Sequence, residues 1–205
     1  MFTWVHNCPQ RKSSVDETIA SVEASDLRQY EVRRHPDDLT PAEIEEWWEE
    51  CLLDAADRSP YFLRLEDDAL VGANIRHNIL TWPALGEADF GLGCLMWLRG
   101  WGDPPADGRS PSFRKTTGPG QVWLSEHVPA IVAAMRAIRS EPGYQRFRRL
   151  DFDWIVALAV QRLGLRVYVH TPSLVDCTLE NGISTCGPTF AGFFAHDFDP
   201  TWKRP

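Results

Sequence analysis

The first 70 residues alternate between short apolar runs and longer amphipathic stretches. Apolar runs of strand length occupy residues 2–6, 30–33 and 61–65, and helical periodicity covers 15–27 and 41–56 between them. Strands separated by single helices pair in parallel and place the helices on the faces of their sheet. The order therefore predicts an α/β fold with a mostly parallel sheet flanked by helices.

The alternation continues, less regularly, through the rest of the chain. We expect a helix over 70–82, a strand over 89–98, a loop over 99–120, a strand over 121–124, helices over 125–138 and 151–163, and a strand over 165–170. No internal repeat and no composition change marks a domain boundary, so residues 1–205 are expected to form a single domain.

Three carboxylates, Glu66, Asp67 and Asp68, directly follow the apolar run 61–65. Carboxylates at the end of a buried strand are costly unless a cation lies against them. Mg²⁺ or Mn²⁺ suits hard oxygen ligands and usually also holds substrate phosphates. Ligands of parallel sheets bind at the carboxyl ends of the strands, so the loop 7–14 is expected to face the same crevice. The alternative is a solvated turn after a strand.

The overall composition is that of an ordinary globular protein, with 43% hydrophobic and 24% charged residues. No apolar run has the length of a membrane span, and the first ten residues lack a basic and then apolar leader. A cytoplasmic protein without membrane contact is therefore expected. The five cysteines form no CxxC pair, which favours reduced thiols over a disulfide framework or a zinc site.

The charge is unevenly distributed along the chain, whose net charge is −8. Residues 1–98 hold 8 basic and 19 acidic side chains, whereas residues 99–166 hold 11 basic and 6 acidic ones. A basic segment in an acidic protein suits contact with phosphates or with a polyanion. The alternative is that its arginines lie along amphipathic helices as structural residues.

Three blocks of the chain have the character of family motifs. They are Pro9-Gln10-Arg11 with the following Ser21-Val22, then Phe62-Leu63-Arg64-Leu65-Glu66-Asp67-Asp68, and finally Gly164-Leu165-Arg166-Val167-Tyr168-Val169-His170-Thr171-Pro172-Ser173-Leu174-Val175 with Gly182-Ile183-Ser184-Thr185. Together these blocks resemble small nucleotide-sugar-dependent glycosyltransferases of the GT-A type. They occur in the family's order and cover most of the chain, and the third block is the most specific. The resemblance implies a GT-A-like, Rossmann-like fold.

The resemblance also implies a nucleotide-sugar donor, usually a UDP-sugar, together with Mn²⁺ or Mg²⁺. Residues 1–98 would hold donor and metal, and residues 99–205 the acceptor. Asp68 is the first choice as metal ligand, assisted by Glu66 or Asp67. The residues expected at the donor are Pro9, Arg11, Lys12, Glu66 and Asp67.

The chain departs from the family at the position of a Gln-His pair, which is Asp176-Cys177 here. The family histidine often completes the metal site. Asp176 would replace it with an oxygen ligand, whereas Cys177 suits Mg²⁺ poorly. His196 is another candidate ligand if the C-terminal segment folds back.

An inverting transferase needs a carboxylate that deprotonates the acceptor hydroxyl. Asp151 or Asp153, at the start of a predicted helix, matches the family's base by position, although a helix cap explains Asp151 equally well. The residues expected at the acceptor are Trp101, Arg114, Gln121 and Trp123.

Two classes of acceptor remain open at this point. One is a saccharide or other small hydroxylated molecule, and the other is a 5-hydroxymethylpyrimidine in DNA, modified as by phage-type enzymes. The basic segment 99–166 suits the phosphates of DNA, whereas the overall acidity opposes tight nonspecific binding. A non-catalytic nucleotide-sugar-binding module is the alternative from a different class, and a metal-dependent phosphatase or nucleotidyltransferase is a weaker one.

Overall fold

A computed structural model describes residues 1–8, 14–112, 116–144, 152–178, 183–184, 187–188 and 194–205. Its strands are β1 (Phe2–Asn7), β2 (Tyr30–Arg34), β3 (Tyr61–Glu66), β4 (Ala69–Val71), β5 (Phe90–Cys94), β6 (Gly120–Leu124), β7 (Arg166–Val169), β8 (Val175–Cys177), β9 (Ile183–Ser184) and β10 (Gly187–Pro188). Its α-helices are α1 (Ser14–Ala24), α2 (Pro41–Arg58), α3 (Ile75–Leu80), α4 (Val128–Ser140) and α5 (Phe152–Arg162).

Six of these strands form one central sheet in the order β2-β1-β3-β6-β5-β7. β1 pairs in parallel with β2 and β3, and β5 pairs in parallel with β7. β6 is antiparallel to both of its neighbours, β3 and β5, so the other five strands all point in one direction. The expected mostly parallel sheet flanked by helices is confirmed.

The core lies on both faces of this sheet, because successive residues of a strand point to opposite sides. On one face, Trp4 and Phe62 pack under α2, α4 and α5. On the other face, Val5, Leu63 and Leu65 pack against α1 and α3.

Two helix ends follow the signals read from the sequence. Thr40 caps α2 in a capping box, in which its backbone N–H donates to Glu43 Oε2 at 2.8 Å. Gly164 follows α5 with a φ of 75°, a left-handed conformation that glycine adopts without strain.

The helix expected over 70–82 is partly wrong. Residues of β4 pair antiparallel with β8, and the helix that follows, α3, covers only Ile75–Leu80. A short apolar run has no periodicity that separates a buried strand from a buried helix. The strand expected over 89–98 is also shorter, because β5 ends at Cys94.

The C-terminal segment folds back over the end of β5 and over α3. Leu98 forms an isolated bridge with Ala195, and the N–H of Ala73 donates to the carbonyl of Pro200 at 2.7 Å. In the described ranges, no helix combines the length and the apolar character that crossing a membrane requires.

Candidate active site

The acidic triplet lies at the edge where β1, β3, β5 and β7 end, and its three members have different surroundings. Glu66 is the last residue of β3. Asp67 is only 1% exposed, and its Oδ2 accepts a hydrogen bond from the N–H of Cys8, after β1, at 2.7 Å. Asp68 is half-buried in the turn before β4, and its carbonyl accepts from the N–H of Thr178 at 2.7 Å. Asp67 therefore contacts the beginning of the loop 7–14, whose residues 9–13 lie outside the described residues.

A fully buried arginine, Arg64, lies behind the triplet on β3. Its Nη2 donates to Glu66 Oε1 at 2.8 Å, and its Nη1 donates to Gln121 Oε1 at 3.0 Å and to the carbonyl of Gly118 at 3.3 Å. The guanidinium also lies 3.7 Å from the ring centroid of Trp48. The sequence did not identify Arg64 as a functional residue. The signal that could have identified it is a single charged residue inside the apolar run 61–65.

Asp153, which was predicted as a catalytic base, also contacts Arg64. It lies in the first turn of α5, and its Oδ1 is 3.6 Å from Arg64 Nη1. Gln121 Nε2 donates to the same oxygen at 3.2 Å. The structure thus brings Asp153 beside Glu66, although the two belong to opposite halves of the chain.

Gly118 marks the point where these two carboxylates converge. A Cβ on Gly118 would lie 2.5 Å from Glu66 Oε1 and 2.8 Å from Asp153 Oδ2, both far shorter than normal contacts. A side chain at this position would displace one or both carboxylates.

The other predicted metal ligands, Asp176 and His196, make contacts of their own. Asp176, in β8, accepts hydrogen bonds at Oδ1 from the N–H groups of Cys177 at 2.9 Å and Ala195 at 2.8 Å. His196 Nε2 lies 3.5 Å from Oδ1 of the exposed Asp103. Within the described ranges, no three His, Cys, Asp or Glu side chains form a group that would hold a metal ion.

The predicted acceptor residues fall into different environments. Trp123 is fully buried and stacks on Phe62 at 5.9 Å between centroids, so placing it at an acceptor surface was wrong. Gln121 is fully buried as well and hydrogen-bonds to Asp153 and Arg64. Trp101 is half-buried, with its ring centroid 5.0 Å from that of Trp97. Pro9, Arg11, Lys12, Arg114 and Asp151 lie outside the described residues.

Several arginines of the basic segment are paired with carboxylates of this chain. Arg136 Nε lies 2.7 Å from Glu49 Oε2, Arg139 contacts Glu49 as well, and Arg162 contacts Glu141. For these three arginines, the contacts support the alternative that the basic residues are structural. Arg146, Arg148 and Arg149 lie outside the described residues.

A groove of about 530 Å³ opens at the opposite edge of the sheet. Its lining residues are Met1, Phe2, Gln29, Tyr30, Glu31, Arg58 and Ser59. They surround the beginnings of β1 and β2, so the groove is distinct from the site at the acidic triplet.

Neither a protein-family model nor a curated protein matches this sequence. Solved structures match in fold. A glycosyltransferase involved in glycosylation of the major capsid of PBCV-1 has a TM-score of 0.54 at 15% identity, over 83% of this chain and 82% of that chain. The galactosyltransferase LgtC, solved in complex with donor and acceptor sugar analogs, has a TM-score of 0.54 at 12% identity, over 89% and 88%. This chain therefore has the GT-A glycosyltransferase fold.

Proposed function

We propose that this protein is a glycosyltransferase that moves a sugar from a nucleotide-sugar, a UDP-sugar in our proposal, to an acceptor hydroxyl. One observation carries the proposal: Arg64 contacts both Glu66 and Asp153 at the edge of the sheet that also bears Asp67 and Asp68. This edge is where ligands of such sheets bind. The shared fold with LgtC, which was solved with donor and acceptor sugar analogs, supports the same assignment.

We assign the metal, Mn²⁺ or Mg²⁺, to Asp68. Such ions are often bound through one or two carboxylates, with water and substrate phosphate oxygens completing the shell, so a larger protein cluster is not required. Asp68 is half-buried in the turn after β3, at the carboxyl edge of the sheet, and it is the residue of the triplet that the family resemblance makes the first choice as metal ligand. When bound, the ion neutralises the charge that develops on the departing nucleoside diphosphate.

Asp153 is the proposed base for an inverting transfer. The acceptor O–H proton moves to its carboxylate while the acceptor oxygen bonds to the sugar and the bond to the diphosphate breaks. It lies in the first turn of α5, and Gln121 orients it by donating to its Oδ1.

A saccharide or another small hydroxylated molecule is the proposed acceptor, with the half-buried Trp101 among its contacts. The DNA acceptor depended on the basic segment. Arg136, Arg139 and Arg162 of that segment are bound to carboxylates of this chain, so the described part of the segment gives a DNA acceptor no specific support.

The Asp68→Ala variant tests the proposal. With UDP-, GDP- and TDP-sugars, wild type is expected to gain thermal stability with Mn²⁺ present and to release nucleotide. Asp68→Ala is expected to keep the wild-type melting temperature without donor and to lose the shift and the release, because the metal ligand is gone.

The matched control is Asp57→Ala, which removes an exposed carboxylate from α2. It is expected to behave as wild type. Unchanged nucleotide release in Asp68→Ala would remove the metal role of this residue. Donor binding without transfer to any saccharide tested would favour the non-catalytic binding module.

A further inference from the structure

We propose that Arg64 is a positioning residue that holds Glu66 and Asp153 as one carboxylate pair, and that Glu66 belongs to this pair and not to the metal. The inference rests on the proposed function and deepens it. It gives two residues of the triplet different roles: Asp68 binds the metal on the donor side, and Glu66 belongs to the carboxylate pair on the acceptor side.

The burial of Arg64 is the first argument. Its side chain is fully inaccessible to solvent, in the middle of the central sheet. Burying a guanidinium costs free energy, and a buried ion pair often stabilises a protein no more than apolar side chains of similar volume. Stability alone therefore gives little reason for an arginine here, whereas a need to fix two carboxylates does.

The shape of the guanidinium is the second argument. Its planar fork points donors in fixed directions, which an ammonium group does not. Nη2 faces Glu66 at 2.8 Å, and Nη1 faces Asp153 at 3.6 Å. Gln121 also links Arg64 to Asp153, because its Oε1 accepts from Arg64 and its Nε2 donates to Asp153. One cation thus offsets the repulsion between two neighbouring carboxylates.

The glycine between the two carboxylates is the third argument. Gly118 is not among the glycines with positive φ, which are Gly102, Gly108 and Gly164. Its backbone conformation therefore does not require glycine, but a Cβ there would force the carboxylate of Glu66 or of Asp153 to shift. The missing side chain lets the two carboxylates approach each other.

The partly exposed carboxylates are the fourth argument. The side chain of Glu66 is 24% exposed and that of Asp153 is 19% exposed, whereas Arg64 behind them is inaccessible. The pair is therefore fixed from the protein side and partly accessible to solvent at the carboxyl edge of the sheet. An acceptor hydroxyl that approaches the pair meets carboxylates whose positions are already set, which is the condition for efficient proton transfer.

Gly118→Ala is the central test, with Gly86→Ala as the matched control. An added Cβ at Gly86 has nothing within 4 Å, so that variant is expected to match wild type. Gly118→Ala is expected to lower kcat about 100-fold, the loss typical of a misplaced catalytic group. Kd for UDP with Mn²⁺ is expected to stay at the wild-type value, because the donor side is untouched. The rate is followed as UDP release from UDP-glucose or UDP-galactose with a saccharide acceptor.

A second set of variants keeps the test decisive if Gly118→Ala does not fold. Arg64→Lys retains the charge but not the fork, and Glu66→Gln retains the volume but not the charge. Both are expected to lower kcat while the Mn²⁺ concentration needed for half-maximal UDP binding stays unchanged. Asp68→Asn is expected to raise that concentration.

Two results would overturn the inference. One is a wild-type kcat in folded Gly118→Ala or Arg64→Lys. The other is a Mn²⁺ requirement in Glu66→Gln that rises as it does in Asp68→Asn. Failure of the proposed function looks different, since wild type itself would then bind no nucleotide-sugar and release no nucleotide.

Discussion

His170 is a buried imidazole between two indole rings. Its ring centroid lies 5.0 Å from that of Trp82 and 5.6 Å from that of Trp202, and its Nδ1 is 2.7 Å from the carbonyl of Pro172. Burial lowers the pKa of His170 to about 4, because the charged imidazolium would lose its water. The side chain is therefore neutral in the folded protein at neutral pH.

This depressed pKa predicts a loss of stability in mild acid. Below a pH of about 6.5, His170 is protonated in the unfolded state but remains neutral in the folded state. The free energy of unfolding therefore falls as the pH is lowered, until the pH reaches about 4. The contribution is about 2 kcal/mol between pH 7 and 5.

The variant His170→Asn is expected to lose less stability than wild type over this interval, measured by urea unfolding at pH 7 and pH 5. The control His127→Gln changes a partly exposed histidine and is expected to keep the wild-type difference. If the free energy of unfolding changed equally between pH 7 and pH 5 in His170→Asn and in wild type, His170 would not be the source of the acid sensitivity.

The helices α2 and α4 are joined by a buried carboxylate. Glu49 of α2 is 1% exposed and contacts Arg136 and Arg139 of α4, and Arg139 Nε is also 2.8 Å from Glu45. Both helices cover the face of the sheet that carries Trp4. The contact therefore fixes the layer from which Trp48 reaches Arg64.

The Glu49→Gln variant is expected to lower the free energy of unfolding by about 2 kcal/mol, because it leaves Arg139 partly buried beside a neutral group. The measurement is chemical denaturation at pH 7. Glu141→Gln breaks the exposed pair with Arg162 and is expected to cost clearly less stability than Glu49→Gln, because water screens an ion pair at the surface. Equal losses in the two variants would argue against a special role for the buried carboxylate.

The C-terminal segment 194–205 holds distant parts of the molecule together. The N–H of Arg204 donates to Asn78 Oδ1 at 2.8 Å, Asn78 Nδ2 donates to the carbonyl of Trp202 at 3.0 Å, and Ala73 binds Pro200. The segment thereby covers α3 and one side of His170.

Removing residues 200–205 is expected to cost about 3 kcal/mol, from several lost hydrogen bonds and the lost packing of Trp202. Tm is then expected to fall by roughly 10 °C in a chain of this size. The control Lys203→Ala removes an exposed side chain of the same segment and should leave Tm unchanged. A shortened chain with wild-type Tm would show that the segment contributes nothing to stability.

Local patterns alone determined the first third of the fold and the location of the acidic triplet. The apolar runs, the capping residues Thr40 and Glu43, and the order of strands and helices over the first 70 residues predicted a parallel sheet with Glu66, Asp67 and Asp68 at its carboxyl edge. These signals act between residues close in sequence, so they can be read without the fold.

Only the tertiary structure decided which distant residues meet. β6 inserts antiparallel between β3 and β5, which buries Trp123 and brings Gly118 and Gln121 to the acidic edge. β4 is a strand only because β8 pairs with it. The pairing of Asp153 with Arg64 likewise depends on how α5 packs over the sheet. Such contacts are set by packing and strand pairing between segments far apart in the chain, and no short sequence pattern encodes them.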